Sequence, residues 1–281
     1  MIPMDNIIPG YREVSKEENR KLLLDMMQYV HEFCEERGIH YFLYFGSMLG
    51  AVRHKGFIPW DDDIDICMTR KEYERFIDCF PKGKDTRYSV MTFTDKNHYQ
   101  PYAKIVDNCT RMIEREDKPI GIYIDLFIID NEGRTYSEAR RFMHLVSFFV
   151  RLRYGHVIKY KEGASRSNII NRARMALAKL TDENELLRVI DKVSRLKEAE
   201  ELSAYVGAVN ASGYNKRQIL RGEWFRESIT VPFEDRQFCI PKDYRSILRT
   251  IYVNYMDLPS ENNRPEYRKG IRWILTEIQE K

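Results

Sequence analysis

Four aspartates in five positions, Asp61, Asp62, Asp63 and Asp65, follow shortly after a small-residue turn, Gly46-Ser47-Met48-Leu49-Gly50. Aspartates two apart on a strand, here Asp63 and Asp65, project to one face and can share a cation. Small residues where a strand turns into a helix let backbone N–H groups approach an anion. A phosphate-sized turn beside clustered carboxylates is the equipment of metal-assisted phosphoryl transfer. Either feature alone also reads as a solvated acidic turn or a common Gly-Ser loop, so the weight lies on their combination.

A calcium loop competes for the same acids. Asp61, Asp63, Asp65 and Glu72 fall at its first, third, fifth and twelfth places. Its sixth place needs glycine for a sharp turn and holds Ile66 instead. Ile64, Ile66 and Met68 alternate with Asp63, Asp65 and Cys67, which is the period of a strand. Pro59 also spoils an entering helix. Glu72 has another use, because Thr69-Arg70-Lys71-Glu72 predicts a capping box opening a helix through Tyr73, Phe76, Ile77 and Phe80.

The elements that must position these acids are legible around them. Ser15-Lys16-Glu17-Glu18 predicts a capped helix to about Arg37, with Leu22, Met26, Met27, Val30 and Phe33 on its apolar face and Gly38 as its stop. Tyr41 to Phe45 predicts a strand, Ser47 an N-cap, and Met48 to His54 a short helix before the acidic strand. Further strands are expected at Tyr88 to Thr94, Pro101 to Val106, Thr110 to Glu114 and Gly121 to Ile129.

The stretch GSMLGAVRHKGFIPWDDDIDI closely resembles the LicD/fukutin-like branch of the nucleotidyltransferase-fold phosphotransferases. Tyr102-Ala103-Lys104-Ile105, Tyr123-Ile124-Asp125-Leu126-Phe127, Val231-Pro232-Phe233 and Ile240-Pro241-Lys242-Asp243-Tyr244 extend the resemblance over roughly residues 20 to 260. It implies an α/β fold, a nucleotidyltransferase-like mixed β-sheet flanked by helices, here with a helical addition. It also implies that Gly46 and Ser47 face donor phosphates while Asp63, Asp65 and Asp125 form a carboxylate triad holding Mg²⁺ or Mn²⁺. Members resembling this form move phosphocholine from CDP-choline onto a glycan, whereas fukutin-like relatives transfer ribitol phosphate. At Tyr252-Val253-Asn254 the chain departs from the family, which usually carries glycine where Val253 stands.

Asp125 sits within an apolar run, where a carboxylate needs a partner or a cation. Arg53, His54, Lys55 and Lys104 are candidates for phosphate contact, since cations placed where charge develops stabilise a transition state. Trp60 is expected to pack beside the site.

Charged residues make up 32% and hydrophobic residues 43% of the 281-residue chain, the balance of a folded domain. No apolar run is long enough to span a membrane and no secretory signal pattern opens the chain, so a cytoplasmic protein is expected. The five cysteines show no CxxC pair and no Cys/His zinc spacing, which points to reduced thiols. The expected division is a catalytic core over 1–134, a basic helical insertion over 135–200 and a C-terminal part over 201–281 that completes the substrate site.

Within the insertion, helices are expected at Ser137 to Arg153, Ser167 to Leu180 and Glu183 to Leu196, with Phe142, Phe148 and Phe149 on a buried face. Between Arg140 and Leu180 ten Lys or Arg residues face the single acid Glu162. That excess suits an anionic acceptor or the inner membrane face, and the segment lacks any nucleic-acid recognition motif. The resemblance makes the acceptor a glycan or lipid-linked glycan. Two other classes compete with phosphocholine transfer: a nucleotidyltransferase moving NMP from an NTP, and a catalytically silent scaffold. The intact set Gly46, Ser47, Asp63, Asp65 and Asp125 speaks against the second.

Overall fold

The computed structural model describes residues 10–112, 118–157, 169–178, 180–211, 215–260 and 272–275. In chain order β1 (Tyr11–Glu13) leads to α1 (Lys16–Arg37), β2 (Phe42–Leu43), α2 (Phe45–Arg53), β3 (Asp65–Thr69) and α3 (Arg70–Cys79). Strands β4 (Tyr88–Met91), β5 (Ala103–Asp107), β6 (Thr110–Met112) and β7 (Tyr123–Gly133) follow. Helices α4 (Tyr136–Val157), α5 (Ile169–Ala178) and α6 (Glu183–Ser194) come next. The rest of the described chain contains β8 (Tyr205–Gly207), β9 (Leu220–Arg221), the hairpin β10 (Ser228–Phe233) and β11 (Arg236–Pro241), α7 (Tyr244–Tyr252) and β12 (Arg272–Leu275).

The main sheet runs in the order β2-β3-β7-β5-β4, with β8 added to β7 and β9 to β8. Strands β3 and β7 are parallel and the other pairs antiparallel, so the sheet is mixed. A nucleotidyltransferase-like mixed sheet flanked by helices is therefore the fold. Its core packs Met26, Met27 and Val30 of α1 and Phe76 of α3 with Ile66, Met68, Ile124, Leu126 and Ile128 of the strands. Helices α4 and α6 close a second cluster through Phe142, Val146, Val150, Leu186 and Ile190.

Helix α1 starts as its sequence dictates. The Ser15 hydroxyl accepts from the Glu18 N–H at 3.2 Å, Glu18 accepts from the Ser15 N–H at 3.1 Å, and Gly38 ends the helix at φ 58°. Other starts differ from expectation. Helix α2 begins at Phe45, so Ser47 lies inside its first turn and is not the N-cap. Thr69 caps α3 without a side-chain hydrogen bond, and the Glu72 carboxylate accepts instead from the His40 N–H at 3.1 Å and from Arg75 at 2.7 Å, so the expected capping box does not form. Phe148 is 61% exposed, in contrast to the buried Phe142, since it lies on the opposite face of α4. The ends of the strand expected at Thr110 to Glu114 and of the helix expected at Ser167 to Leu180 lie partly outside the described residues. No helix among the described residues is long and apolar enough to cross a membrane.

Candidate active site

The site begins with a register match. On parallel strands β3 and β7, Asp65 stands opposite Asp125, and on the antiparallel side of β7 Asp125 stands opposite Lys104 of β5. Residues paired across strands project to one face, so Asp65, Asp125 and Lys104 form a row. Asp63 precedes Asp65 by two positions in the extended lead into β3. Lys104 Nζ donates to Asp125 Oδ1 at 2.7 Å and lies 3.1 Å from the centre of the Tyr123 ring. The lysine is buried, with ion pair and ring face together offsetting the desolvation of its charge. Sequence reasoning expected it to meet phosphate; here its ammonium engages the neighbouring aspartate.

The charge of the row is concentrated further by the preceding loop. Asp61, Asp62 and Asp63 each offer a carboxylate oxygen, all within 4.8 Å of one another. The Asp65 carboxyl is pushed well up, first by burial and then by Asp63, Asp125 and Asp61, against the opposing pull of Lys104. Such mutual repulsion is what a divalent cation relieves, and oxygen donors suit Mg²⁺ or Mn²⁺. The donor set therefore fits a metal. The tightest cluster is the 61–63 run, whereas the expected triad of Asp63, Asp65 and Asp125 is distributed over the loop and two strands.

The small-residue turn docks directly on this row. Ser47 is buried and its Oγ accepts from the Asp65 N–H at 2.9 Å, while the Tyr44 N–H donates to the Asp65 carbonyl at 2.8 Å. Phe45, between them, has φ 38°, an unfavourable value for an L-residue, and is packed against the rings of Tyr44 and Phe127. Glycine at 46 has a second reason besides anion approach: a Cβ there would stand 2.6 Å from Asp61 Oδ2. At Gly50 a Cβ would stand 2.4 Å from the Gly56 carbonyl.

Several residues that support the loop carry no motif. Asn19 of α1 donates to the Asp62 carbonyl at 3.0 Å, Arg20 to those of Ile58 and Asp61 at 2.9 and 3.0 Å, and Lys16 to that of Pro59 at 2.7 Å. Their separation of some forty positions from the loop hides them from any local pattern. Tyr252, the last residue of α7, has its phenol pushed up by burial and then by Asp65, Asp61 and Asp63. Its neighbour Val253 adopts φ 63°, a glycine-like backbone, at the position where the family pattern carries glycine.

The remaining candidates are held by neighbouring groups. Arg53 donates to the carbonyls of Tyr255 and Asp257 at 2.9 and 3.1 Å, fastening the turn after Val253. Lys55 is exposed, with Nζ 3.4 Å from the Val52 carbonyl. The His54 imidazole is held below its usual range by burial and by Arg53, and packs edge-on against Trp60.

Paired strand carboxylates under a Gly-Ser turn thus stand on a nucleotidyltransferase-like mixed sheet. Residues 38–152 match the family profile LicD/FKTN/FKRP, nucleotidyltransferase domain. By this match and by the relative next described, the chain is similar to LicD-type phosphotransferases. It is 29% identical to the lipopolysaccharide cholinephosphotransferase LicD of Haemophilus influenzae over 276 residues, covering 94% of this chain and all of that protein. A segment of 46 residues, 16% of this chain and 9% of the relative, is 44% identical to the human ribitol 5-phosphate transferase FKRP. An uncharacterised Rickettsia typhi protein is 27% identical over 50% of this chain and 39% of its own length.

Proposed function

We propose that this chain moves phosphocholine from CDP-choline onto a hydroxyl of a cell-surface glycan precursor, with Mg²⁺ or Mn²⁺ held by Asp63, Asp65 and Asp125. The observation that carries the reading is the register row setting Asp65 beside Asp125, with Asp61 and Asp63 near enough to raise the Asp65 carboxyl further. Full-length similarity to a cholinephosphotransferase, against a short shared segment with a ribitol-phosphate transferase, favours the choline donor. When bound, the cation supplies charge neutralisation on the donor phosphates as CMP departs.

The chain's own residues do the rest. Ser47, whose oxygen is occupied by the Asp65 N–H, directs its proton to a phosphate oxygen. Lys104 fixes Asp125, which takes the acceptor hydroxyl proton as that oxygen bonds to the choline-bearing phosphorus. The phosphoanhydride bond then breaks and CMP leaves with its electron pair. In this reading 1–134 is the catalytic core, 135–200 an added helical unit, and 201–281 completes the substrate site through Tyr252.

A nucleotide-release assay with Mg²⁺ across CDP-choline, CDP-ribitol, CDP-glycerol and ordinary NTPs tests the donor. Free CMP from CDP-choline is expected. Pyrophosphate from an NTP would replace phosphoryl transfer by nucleotidyl transfer.

The acceptor, if lipid-linked, lies at a membrane surface, and the helical unit suits contact with the inner leaflet. Exposed Leu145 and Phe148 of α4 alternate with exposed Arg140, Arg141 and Arg151, and Ile169, Ile170 and Leu177 of α5 are exposed beside Arg172. An apolar and cationic face is what an anionic bilayer binds. Arg153 takes no part, being buried with donors to the Tyr99 carbonyl and to Gln100; Lys159, Lys161 and Arg166 lie outside the described residues. Replacing Arg140, Arg141 and Arg151 by glutamine is expected to weaken co-sedimentation with anionic vesicles while CMP release from CDP-choline persists. Unchanged vesicle binding would remove the membrane from this account.

A further inference from the structure

Far from the acidic row, His31 and Glu35 of α1 meet Cys239 of β11. One ligand atom from each, an imidazole nitrogen, a carboxylate oxygen and a thiol sulfur, lies within 4.8 Å of the other two. His31 and Glu35 are one helical turn apart and so share a face of α1. Cys239 pairs with Thr230 across the hairpin and is half-buried, while Glu35 is exposed and leaves a route in from solvent. We propose that these three residues form a zinc-type metal site that is separate from the phosphotransfer centre and clamps α1 to the β10–β11 hairpin.

Donor chemistry selects the class of metal. Oxygen-only clusters such as the acidic loop suit Mg²⁺, whereas a thiolate with an imidazole selects softer ions, Zn²⁺ foremost. Three protein ligands leave a fourth position for water. The cluster also has the outer support such sites need. The Tyr41 hydroxyl lies 2.9 Å from His31 Nδ1 and orients the imidazole. The Phe238 ring packs edge-on against the imidazole with ring centres 6.0 Å apart. Because the ligands come from positions 31, 35 and 239, no short sequence spacing announces them.

The location gives the clamp a consequence. The turn of the same hairpin holds the approach to the acidic loop: Glu234 accepts from the Phe57 N–H at 2.9 Å and its own N–H donates to the Lys55 carbonyl at 2.7 Å. Arg236 reaches Asp25 of α1 at 3.2 Å. Helix α1 in turn fastens the loop carbonyls of Ile58, Pro59, Asp61 and Asp62. A metal at Cys239 would lock together the two elements that hold the aspartates from either side.

The test uses chelator-stripped full-length protein with Mg²⁺ in excess, so that the acidic site is saturated. Added Co²⁺ should give a thiolate-to-cobalt charge-transfer band in equimolar proportion, and Zn²⁺ should abolish the band and raise the melting temperature. Cys239→Ser should lose the band, Glu35→Gln should bind at least tenfold more weakly, and Asp65→Asn should bind like wild type. Should Cys239→Ser fail to fold, alkylation of the wild type read by mass spectrometry decides the matter. Zn²⁺ is expected to slow modification of Cys239 and to leave the exposed Cys79 unchanged. A band that survives Cys239→Ser, no cobalt band at all, or equal alkylation of both thiols with and without Zn²⁺ would overturn the proposal.

Discussion

The two ends of strand β7 place the same residue type in opposite circumstances. Asp130, near the far end, is buried and receives both donors of the Arg70 fork at 2.7 and 2.9 Å, while Arg70 also reaches Asp191 at 3.0 Å. Arg195 adds bonds to Asp191 at 2.8 Å, to Glu74 and to Glu198 at 3.2 Å, so two guanidinium groups knit four acids together. Asp125, near the start, shares its row with Lys104 and with Asp65, whose carboxyl is crowded by Asp63, Asp125 and Asp61. At one end Asp130 is paired with a guanidinium fork that holds β7, α3 and α6 together. The other end accumulates negative charge, which raises the Asp65 carboxyl. Excess charge of one sign, gathered on rigid strands, is what separates a working carboxylate from a structural one.

The largest effect tests that separation at the catalytic end. Asp65→Asn removes charge with little change in volume, and turnover is expected to fall by about 10³-fold or more, equivalent to about 4 kcal/mol of barrier. Thermal unfolding should stay near wild type, or shift upward as the repulsion that raises the Asp65 carboxyl is relieved. Near-wild-type CMP release by this variant would mean that the acidic end is structural too. The same substitution at Asp63 should act in the same direction.

Arg70→Ala probes the paired end. It leaves Asp130 and Asp191 buried without their fork, and a broken buried ion pair costs about 3–5 kcal/mol. Chemical denaturation should show that loss, while the Michaelis constant for donor, measured below the lowered melting temperature, should hardly move. A selective loss of turnover with stability intact would instead tie the Arg70 network to catalysis.

Legibility follows the same divide. The Gly-Ser turn, the acidic strand and Asp125 lie in short runs whose alternation marks them in the sequence itself. The register that makes Asp65 and Asp125 neighbours is tertiary, and so is the union of Lys104 with Asp125. Ser47 was read as a cap because serine before a helical run usually is one. Its hydroxyl instead meets the Asp65 N–H, since the helix starts at Phe45 with a strained backbone that no propensity forecasts. Asn19, Arg20 and Tyr252 act across the fold and carry no local pattern. The exposure of Phe148 was missed because aromatic spacing fixes a helix face without saying which face is covered.

Two positions beyond Asp130, Glu132 supplies the smallest and most diagnostic effect. Its side chain is fully buried, neither carboxylate oxygen has a hydrogen-bond partner, and a Cβ on Gly207 would come 2.6 Å from its Oε1. Burial, and secondarily Asp130, push this carboxyl well above its ordinary value of 4.5. Burial likewise lifts Asp130 from 3.8 to about 6 despite Arg70. An acid whose folded pKa is raised binds its proton more tightly when folded, so its favourable contribution is complete below the unfolded pKa and is lost as pH rises through the folded one. For Asp130 that loss is complete a little above pH 6, whereas Glu132 continues to destabilise at higher pH. Glu132→Gln keeps the shape and removes the ionisation. Stability of the variant relative to wild type, followed by denaturant unfolding, should therefore change little below about pH 4.5 and increase steadily above it in the variant's favour. A difference that stays flat across this range would mean that Glu132 gains a partner in solution, and that the far end of β7 is neutralised throughout its length.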